Sequence, residues 1–460
     1  MLGKIRNIHF VGIGGIGMSG IAELLLNQGF TISGSDLVKT EITEKLEKLG
    51  ARIAEGHDAD LIQEADVVVK SSAVKDDNPE VMAANHHKIP VIRRAEMLSE
   101  IMRMSYGIGI AGTHGKTSTT SMVGSVLSAA ELDPTIIVGG IVKNYGSNNL
   151  LGSNEYIVVE ADEFDRSFLT LSPIIAGITN IEADHLDCYS NLEGVKEAFI
   201  QYANKVPFFG CVVVCLDDIG VQSILPQIHK KIVTYGFSRQ ANIRAENVEL
   251  NNFKSHFDVL IDGEKMGRIS LNVMGNFNIL NALQAIAIGY ELDIDFDRIK
   301  QGLEAYNGVF RRFEFKGEFD DILIYDDYAH HPTEIEATLK GVRDSSNRRI
   351  IALFQPHLYS RTRDFYQEFG RAFFQADHLL VAPIYPAREA PMEGITGELI
   401  ANAATQSGHK NARFIGRNED IVSAVESIMQ PGDIVITIGA GTIYKFGEEI
   451  IKKQSWVNNV

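Results

Sequence analysis

Short apolar runs alternate with stretches of helical periodicity from one end of the chain to the other. The runs fall at Ile8–Val11, Asp66–Val69, Gly107–Ala111, Tyr156–Val159, Ile174–Thr179, Cys211–Cys215, Ile322–Tyr325, Arg349–Phe354, His378–Ala382 and Ile434–Ile438. Between them lie helical patterns such as Met18–Gln28 and Ser118–Ala129. Strand and helix in strict alternation predict an α/β fold of parallel sheets covered by helices. Two places break the rhythm. After Lys88-Ile89-Pro90 a helix-like stretch, Ala95–Met104, leads into a fresh strand with its own glycine loop. Around Asn307–Phe313 a loop carrying Arg311-Arg312 precedes another restart at Ile322. Three domains are therefore expected, at 1–106, 107–313 and 314–460: a Rossmann-like N-terminal domain, a central P-loop-type ATPase domain with a mostly parallel sheet, and a Rossmann-like C-terminal domain.

The length of 460 residues suits about three domains of ordinary size. With 43 Lys plus Arg against 60 Asp plus Glu, the net charge of −17 argues against a nucleic-acid or anionic-membrane surface, so an anionic ligand must be held by local devices. The stretch from Met1 into Lys4–Val11 reads as a first strand rather than a signal peptide, and no long uninterrupted apolar run predicts a membrane span. The three cysteines, Cys188, Cys211 and Cys215, lack CxxC spacing and suit a reducing cytoplasm; Cys211 and Cys215 share one strand face and read as packing.

Gly12-Ile13-Gly14-Gly15-Ile16-Gly17 fits GxGxxG between a strand and a helix, where backbone amides can approach a pyrophosphate. Asp36 follows about twenty residues on, where a dinucleotide enzyme keeps its ribose-binding acid. By itself this loop predicts NAD and does not distinguish it from other nucleotides. A second loop, Gly112-Thr113-His114-Gly115-Lys116-Thr117-Ser118, is shorter than a strict P-loop, since Ile110 stands where that motif has glycine. An apolar strand still enters it and a helix leaves it, so amides and helix dipole converge on one anion site. Lys116 is the candidate for the β- and γ-phosphates of ATP and Thr117 for Mg²⁺. Glu160, at the end of the strand Tyr156–Val159, stands where a Mg²⁺ ligand belongs, with Asp162, Glu163 and Asp165 read as turn residues. A second polar cluster, Thr179–Asp187, adds His185 as a candidate metal ligand.

Asp326–Glu334 and Gln355–Thr362 place acids, histidines and Arg361 after two further strands, where parallel sheets form ligand crevices. Zinc on His330, His331 and His357 is a rival reading of that cluster.

In order along the chain, Gly12–Ala22, Ser71-Ser72, Asn78-Pro79-Glu80, Arg93–Glu96, Gly112–Thr120, Glu160–Asp165, Asn180–Asp187, Asn278–Ala282, Arg311–Phe313, Asp326–Glu334 and Gln355–Thr362 resemble the Mur ligases. The resemblance implies an ATP- and Mg²⁺-dependent amide ligase of peptidoglycan precursor synthesis. Its small-molecule substrates would be UDP-N-acetylmuramate and L-alanine, joined through an acyl phosphate by a monomer or homodimer. The same resemblance puts the UDP-sugar at Gly12, Gly14, Gly15 and Gly17 with Ser35, Asp36, His57, Ser71 and Ser72. ATP and Mg²⁺ fall at Gly112–Ser118, Glu160 and His185, with adenine near Asn278 and Asn281. Arg311 and Arg312 would link two domains at the nucleotide, and the amino acid would lie among His330, His357 and Arg361, with His330 or the departing phosphate as base. Three positions depart from the family pattern: Phe277 replaces a histidine before the adenine-region asparagine, Leu358 an arginine after His357, and Ile200 the carbamylated lysine of other branches. The last departure fits the alanine-adding branch. A sister ligase adding another amino acid or a recycled peptide, an NAD-dependent oxidoreductase and a switch ATPase are the alternatives.

Overall fold

The computed structural model describes residues 4–71, 73–184, 186–387 and 389–457. Its strands gather into three sheets. The first contains β1 (Asn7–Val11), β2 (Thr31–Asp36), β3 (Arg52–Glu55), β4 (Val67–Lys70) and β5 (Val91–Arg93), in the order β3-β2-β1-β4-β5 with every pair parallel. That order reverses direction at β1, so the carboxyl end of β1, where the first glycine loop begins, is the topological switch point.

The second sheet is built from β6 (Tyr106–Ala111), β7 (Thr135–Val142), β8 (Ser147–Leu150), β9 (Tyr156–Glu160), β10 (Ile175–Ile178), β11 (Cys211–Cys215), β12 (Lys231–Gly236), β13 (Ile243–Asn251), β14 (Lys254–Ile261) and β15 (Glu264–Leu271). Its order is β15-β14-β13-β12-β11-β10-β6-β9-β7-β8, parallel from β13 to β7 and closed by antiparallel β8. The third sheet holds β16 (Glu314–Phe319), β17 (Ile322–Asp327), β18 (Arg349–Phe354), β19 (His378–Val381), β20 (Ala412–Phe414) and β21 (Asp433–Ile438), ordered β16-β17-β21-β18-β19-β20 with only β16 antiparallel.

By compactness the chain forms two units. One comprises residues 1–246, 258–269 and 280–306, and the other residues 247–257, 270–279 and 307–460. Central strands such as β11 and β18 are buried almost throughout, which is why they read as unbroken apolar runs. Cys211 and Cys215 are buried in β11, and burial pushes both thiols up to about 12, so they pack rather than react. β2 runs to Asp36 and carries a polar residue, Ser35, fully buried within it. No helix among the described residues is long and apolar enough to cross a membrane.

Candidate active site

The first glycine loop leaves β1 and enters the helix Ile16–Asn27. Gly12 takes φ +82°, and a Cβ there would lie 3.2 Å from Ser71 Cβ. The amides of Gly12 and Ile13 donate to Ser35 O at 2.9 and 3.0 Å, and Gly14 N donates to Asp36 Oδ2 at 2.8 Å. Asp36 therefore braces the loop itself, its other oxygen accepting from Leu37 N at 2.8 Å. The Arg94 guanidinium lies beside Gly17, where a Cβ would meet Nη1 at 3.1 Å, and brings a cation to the first turn of the helix. Ser72 lies outside the described residues.

Behind the loop stands a buried polar cluster. Glu80, fully buried, accepts from His9 Nε2 at 2.6 Å and from Ser35 Oγ at 2.9 Å, and its Oε1 lies 2.8 Å from His57 Nδ1. Burial pushes the Glu80 carboxyl up, but its hydrogen bonds to His9 and Ser35 bring it below its ordinary value. Ser35, His57 and Glu80 have the residue types of a hydrolase triad, yet the Ser35 side chain is sealed from solvent and bound directly to the acid. The cluster fixes the segment whose carbonyl holds the loop.

The second loop follows β6. Gly112 and Gly115 take φ +136° and +83°; a Cβ at Gly112 would fall 1.8 Å from Thr179 Oγ1 and one at Gly115 2.7 Å from Asn281 Oδ1. Only glycine fits either place. The far wall is the end of β10: Thr179 Oγ1 donates to His114 O at 2.6 Å, Asn180 Oδ1 accepts from His114 N at 2.8 Å, and Thr113 Oγ1 accepts from Glu182 N at 2.9 Å. Thr113 and the His114 backbone thus shape the loop. The helix Lys116–Ala129 then starts with Lys116, Thr117 and Ser118 in its first turn.

β9 pairs with β6 so that Glu160 stands opposite Ile110, two residues before the loop. Thr117 Oγ1 lies 3.0 and 3.1 Å from the two Glu160 oxygens, and Gly139 N donates to Glu160 Oε2 at 2.7 Å. A hydroxyl and a carboxylate at the mouth of an anion loop are hard oxygen donors of the kind Mg²⁺ takes. Glu163, which the sequence suggested was a turn residue, is instead buried, and Lys116 Nζ donates to its Oε2 at 2.6 Å. Burial alone lowers the Lys116 ammonium's pKa; the Glu163 and Asp162 charges outweigh that and raise it. His185 lies outside the described residues. Asn281, on the helix Asn276–Glu291, reaches the loop through the Gly115 approach, while Asn278 is buried and donates from Nδ2 to Met274 O at 2.8 Å.

In the other unit, Arg311 is held by Asp326 at 3.0 Å and by Gly439 O at 2.7 Å, with its guanidinium over the rings of Tyr328 at 5.0 Å and Tyr444 at 4.6 Å. Arg312 pairs with Glu334 at 3.3 Å, and Glu334 also accepts from the amides of His330 and His331. Asp327 accepts from Phe313 N and Ala329 N, and burial pushes its carboxyl up to about 6 against the pull of Arg312. The His330 and His357 rings lie 6.0 Å apart, and His357 stacks on Tyr385 at 5.8 Å. Burial, reinforced by the charge of Arg361, takes both imidazoles down to about 4, so both are neutral at pH 7. Arg361 thus belongs with these two rings at the first turn of the helix Tyr359–Ala372. His331 turns against Phe365 instead, at 5.3 Å, and the possible ligand atoms of the three histidines do not gather around one point.

Glu80, Arg94, Glu163, Asn180 and Glu334 are the site neighbours to which residue patterns gave no role. Their partners stand 3 to 77 positions away in sequence, and only the Glu334 contact, within one helix start, had a local signal, the acid three residues after His331.

Three family models cover most of the chain: the Mur ligase family catalytic domain over residues 7–106, the Mur ligase middle domain over 110–289 and the Mur ligase glutamate ligase domain over 311–441. The UDP-N-acetylmuramate–L-alanine ligase of Salinibacter ruber is 51% identical over 98% of this chain and 95% of its own length. Among solved structures, the UDP-N-acetylmuramate–alanine ligase of Thermotoga maritima is 30% identical with a TM-score of 0.79, covering 98% of this chain and 100% of its own. A murein peptide ligase of Psychrobacter arcticus is 25% identical with a TM-score of 0.68, over 98% of each chain.

Proposed function

The chain belongs to the Mur ligase family, and from that premise we propose that it joins L-alanine to the lactyl carboxylate of UDP-N-acetylmuramate, driven by cleavage of ATP to ADP. The observation that carries the chemistry is the glycine loop with Lys116 beside the Thr117–Glu160 pair, at the ends of adjacent strands β6 and β9. The choice of alanine rests on the likeness to alanine-adding ligases along the whole chain, which exceeds the likeness to the peptide-adding relative.

In this reading residues 1–106 bind the UDP-sugar, 107–313 the ATP and 314–460 the amino acid. The diphosphate of the sugar nucleotide lies on the Gly12–Gly17 loop, where the helix start and neighbouring Arg94 supply the positive field. A carboxylate is a poor electrophile, so its oxygen first attacks the γ-phosphate in line, giving an acyl phosphate and ADP. Lys116 spreads the charge of the transferring group, and the loop amides hold the phosphates in place. Thr117 and Glu160 fit Mg²⁺, with His185 as a third ligand; when bound, the ion neutralises charge on the phosphate oxygens. The alanine amine then attacks the acyl carbon, and inorganic phosphate departs. Arg361 pairs with the alanine carboxylate, and the neutral imidazoles of His330 and His357 leave that guanidinium without a competing cation. A ring with a conjugate acid near 4 is a weak proton acceptor, so the departing phosphate is the better base for the amine.

The test is ADP release with ATP, Mg²⁺ and UDP-N-acetylmuramate, with and without L-alanine, with the product weighed by mass spectrometry. An alanine-dependent rate and one added alanyl residue are expected. Stimulation by a peptide instead moves the protein to a sister activity, and indifference to the UDP-sugar overturns the reading of the first domain.

A further inference from the structure

Glu163 stands three residues beyond Glu160, and its side chain is 3% exposed against 49% for neighbouring Asp162. Its backbone is pinned: Glu163 O accepts from the buried Tyr189 hydroxyl at 2.5 Å and from Arg166 N at 3.0 Å. Its carboxylate takes one proton of the Lys116 ammonium at 2.6 Å, while the other two point at Gly112 O, 2.7 Å away, and Thr113 O, 3.3 Å away. An ammonium has three protons, so the head group is fully engaged inside the loop that it serves. An incoming phosphate must take over at least one of them. Parting a donor from a neutral carbonyl costs less than parting a buried carboxylate from its cation, which leaves the acid strongly destabilised.

We propose that Glu163 is a positioning residue for the phosphate-binding lysine. It stays bound to Lys116 when ATP enters, and the ammonium turns the two protons now on Gly112 O and Thr113 O toward the phosphate oxygens. Glu163 thereby sets where the positive charge stands relative to the phosphoryl group in flight. The inference rests on the reading of this loop as the ATP site.

The experiment compares Glu163→Ala, Glu163→Gln and Lys116→Ala by steady-state kinetics and by calorimetric binding of a non-hydrolysable ATP analogue. A misaimed charge costs about 10²-fold in turnover, so Glu163→Ala should lose about that much in kcat. The analogue Kd should stay within about 3-fold, because loop amides and the helix start still hold the nucleotide. Glu163→Gln keeps an acceptor oxygen in place and should recover about 10-fold of the loss. If the alanine variant does not fold, the glutamine variant carries the comparison, with an expected kcat deficit of about 10-fold at unchanged Kd. Tighter analogue binding with kcat intact would show that Glu163 competes with phosphate and would overturn the proposal. So would unchanged kinetics, or a glutamine variant as slow as the alanine one. Full activity of Lys116→Ala would instead remove the ATP-loop reading, whereas an inactive Lys116→Ala beside a fully active Glu163→Ala removes only this inference.

Discussion

Replacing Gly112 by alanine tests whether the phosphate loop is held as tightly as its contacts imply. Two costs add. The backbone sits at φ +136°, a region L-residues rarely adopt, which costs about 1–3 kcal/mol. The new Cβ would fall 1.8 Å from Thr179 Oγ1 and 3.0 Å from both Cβ and N of the same residue. Thr179 cannot back away, because its amide is bound to Ala111 O at 3.0 Å. Its hydroxyl must rotate instead and release His114 O, which it now meets at 2.6 Å, for another roughly 1–3 kcal/mol. The sum is about 4 kcal/mol, large for one methyl group. Gly146→Ala is the matched control: φ is +64°, no heavy atom lies within 4 Å of its Cβ, and it belongs to the same sheet's β7–β8 turn. That variant should lose about 1–2 kcal/mol. Urea unfolding followed by far-ultraviolet circular dichroism gives both differences, and nucleotide titration should show that only Gly112→Ala has lost ATP binding. A Gly112→Ala protein within about 0.5 kcal/mol of Gly146→Ala, with normal nucleotide affinity, would refute the argument from steric fit.

The remaining predictions concern charge. Arg361→Ala should raise the alanine KM with little change for ATP, and NMR titration should find the His330 and His357 pKa values higher than in the parent, since Arg361 lowers both. These two histidines titrate near 4 when folded and near 6.5 when unfolded, so the unfolded chain binds more protons between those values; their contribution is complete above about pH 6.5 and is lost as the pH falls toward 4. Asp327, raised to about 6, works in the opposite direction over its own window, losing its contribution as the pH rises from 3.8 to 6. A protein carrying both His330→Asn and His357→Asn should therefore show a shallower fall of stability between pH 6.5 and 4, measured by urea midpoints. Glu80→Ala leaves His9, Ser35 and His57 facing a void, and removal of one partner from a buried charged network costs about 3–5 kcal/mol. UDP-sugar binding should weaken with it while ATP affinity holds, and equal losses for both ligands would count against the assignment of the Gly12–Gly17 loop to the UDP-sugar.

The main parallel strands were legible because strands buried on both faces leave an uninterrupted apolar signature, as Cys211–Cys215 and Arg349–Phe354 do. The outer strands were not. β13, β14 and β15 alternate polar and apolar positions over 243–271, and β16 carries Glu314, Lys316 and Glu318 on an edge, so neither gave an apolar run. At the site, the loops announced themselves because glycines there answer a backbone demand visible in the one-letter code: positive φ at Gly12, Gly112 and Gly115. Strand-end acids such as Glu160 were legible from position alone. Glu163 was misread as a turn residue because nothing local separates it from Asp162; burial decides, and the groups bound to it, Tyr189 and Lys116, stand 26 and 47 positions away.

That division has a physical origin. Groups that meet a ligand must emerge at the carboxyl ends of strands, so topology fixes their place and periodicity reveals it. Groups that hold them are chosen by whatever reaches across the fold: Asn180 for His114 at a separation of 66 residues, Glu80 for His9 at 71, Arg311 for Gly439 at 128. A pairwise contact of that range leaves no spacing rule in one sequence, and the strongest of them join a charge to a buried partner, where one substitution costs most. The same reasoning ranks the positions by experimental leverage. Altering Thr117 or Glu160 removes a ligand contact and should act on turnover while the fold survives. Altering Glu80, by contrast, strips partners from three side chains at once and should act on stability and on UDP-sugar affinity together. If Thr117→Ala proved as destabilising as Glu80→Ala, the separation between residues that meet ligands and residues that hold them would not apply to this protein.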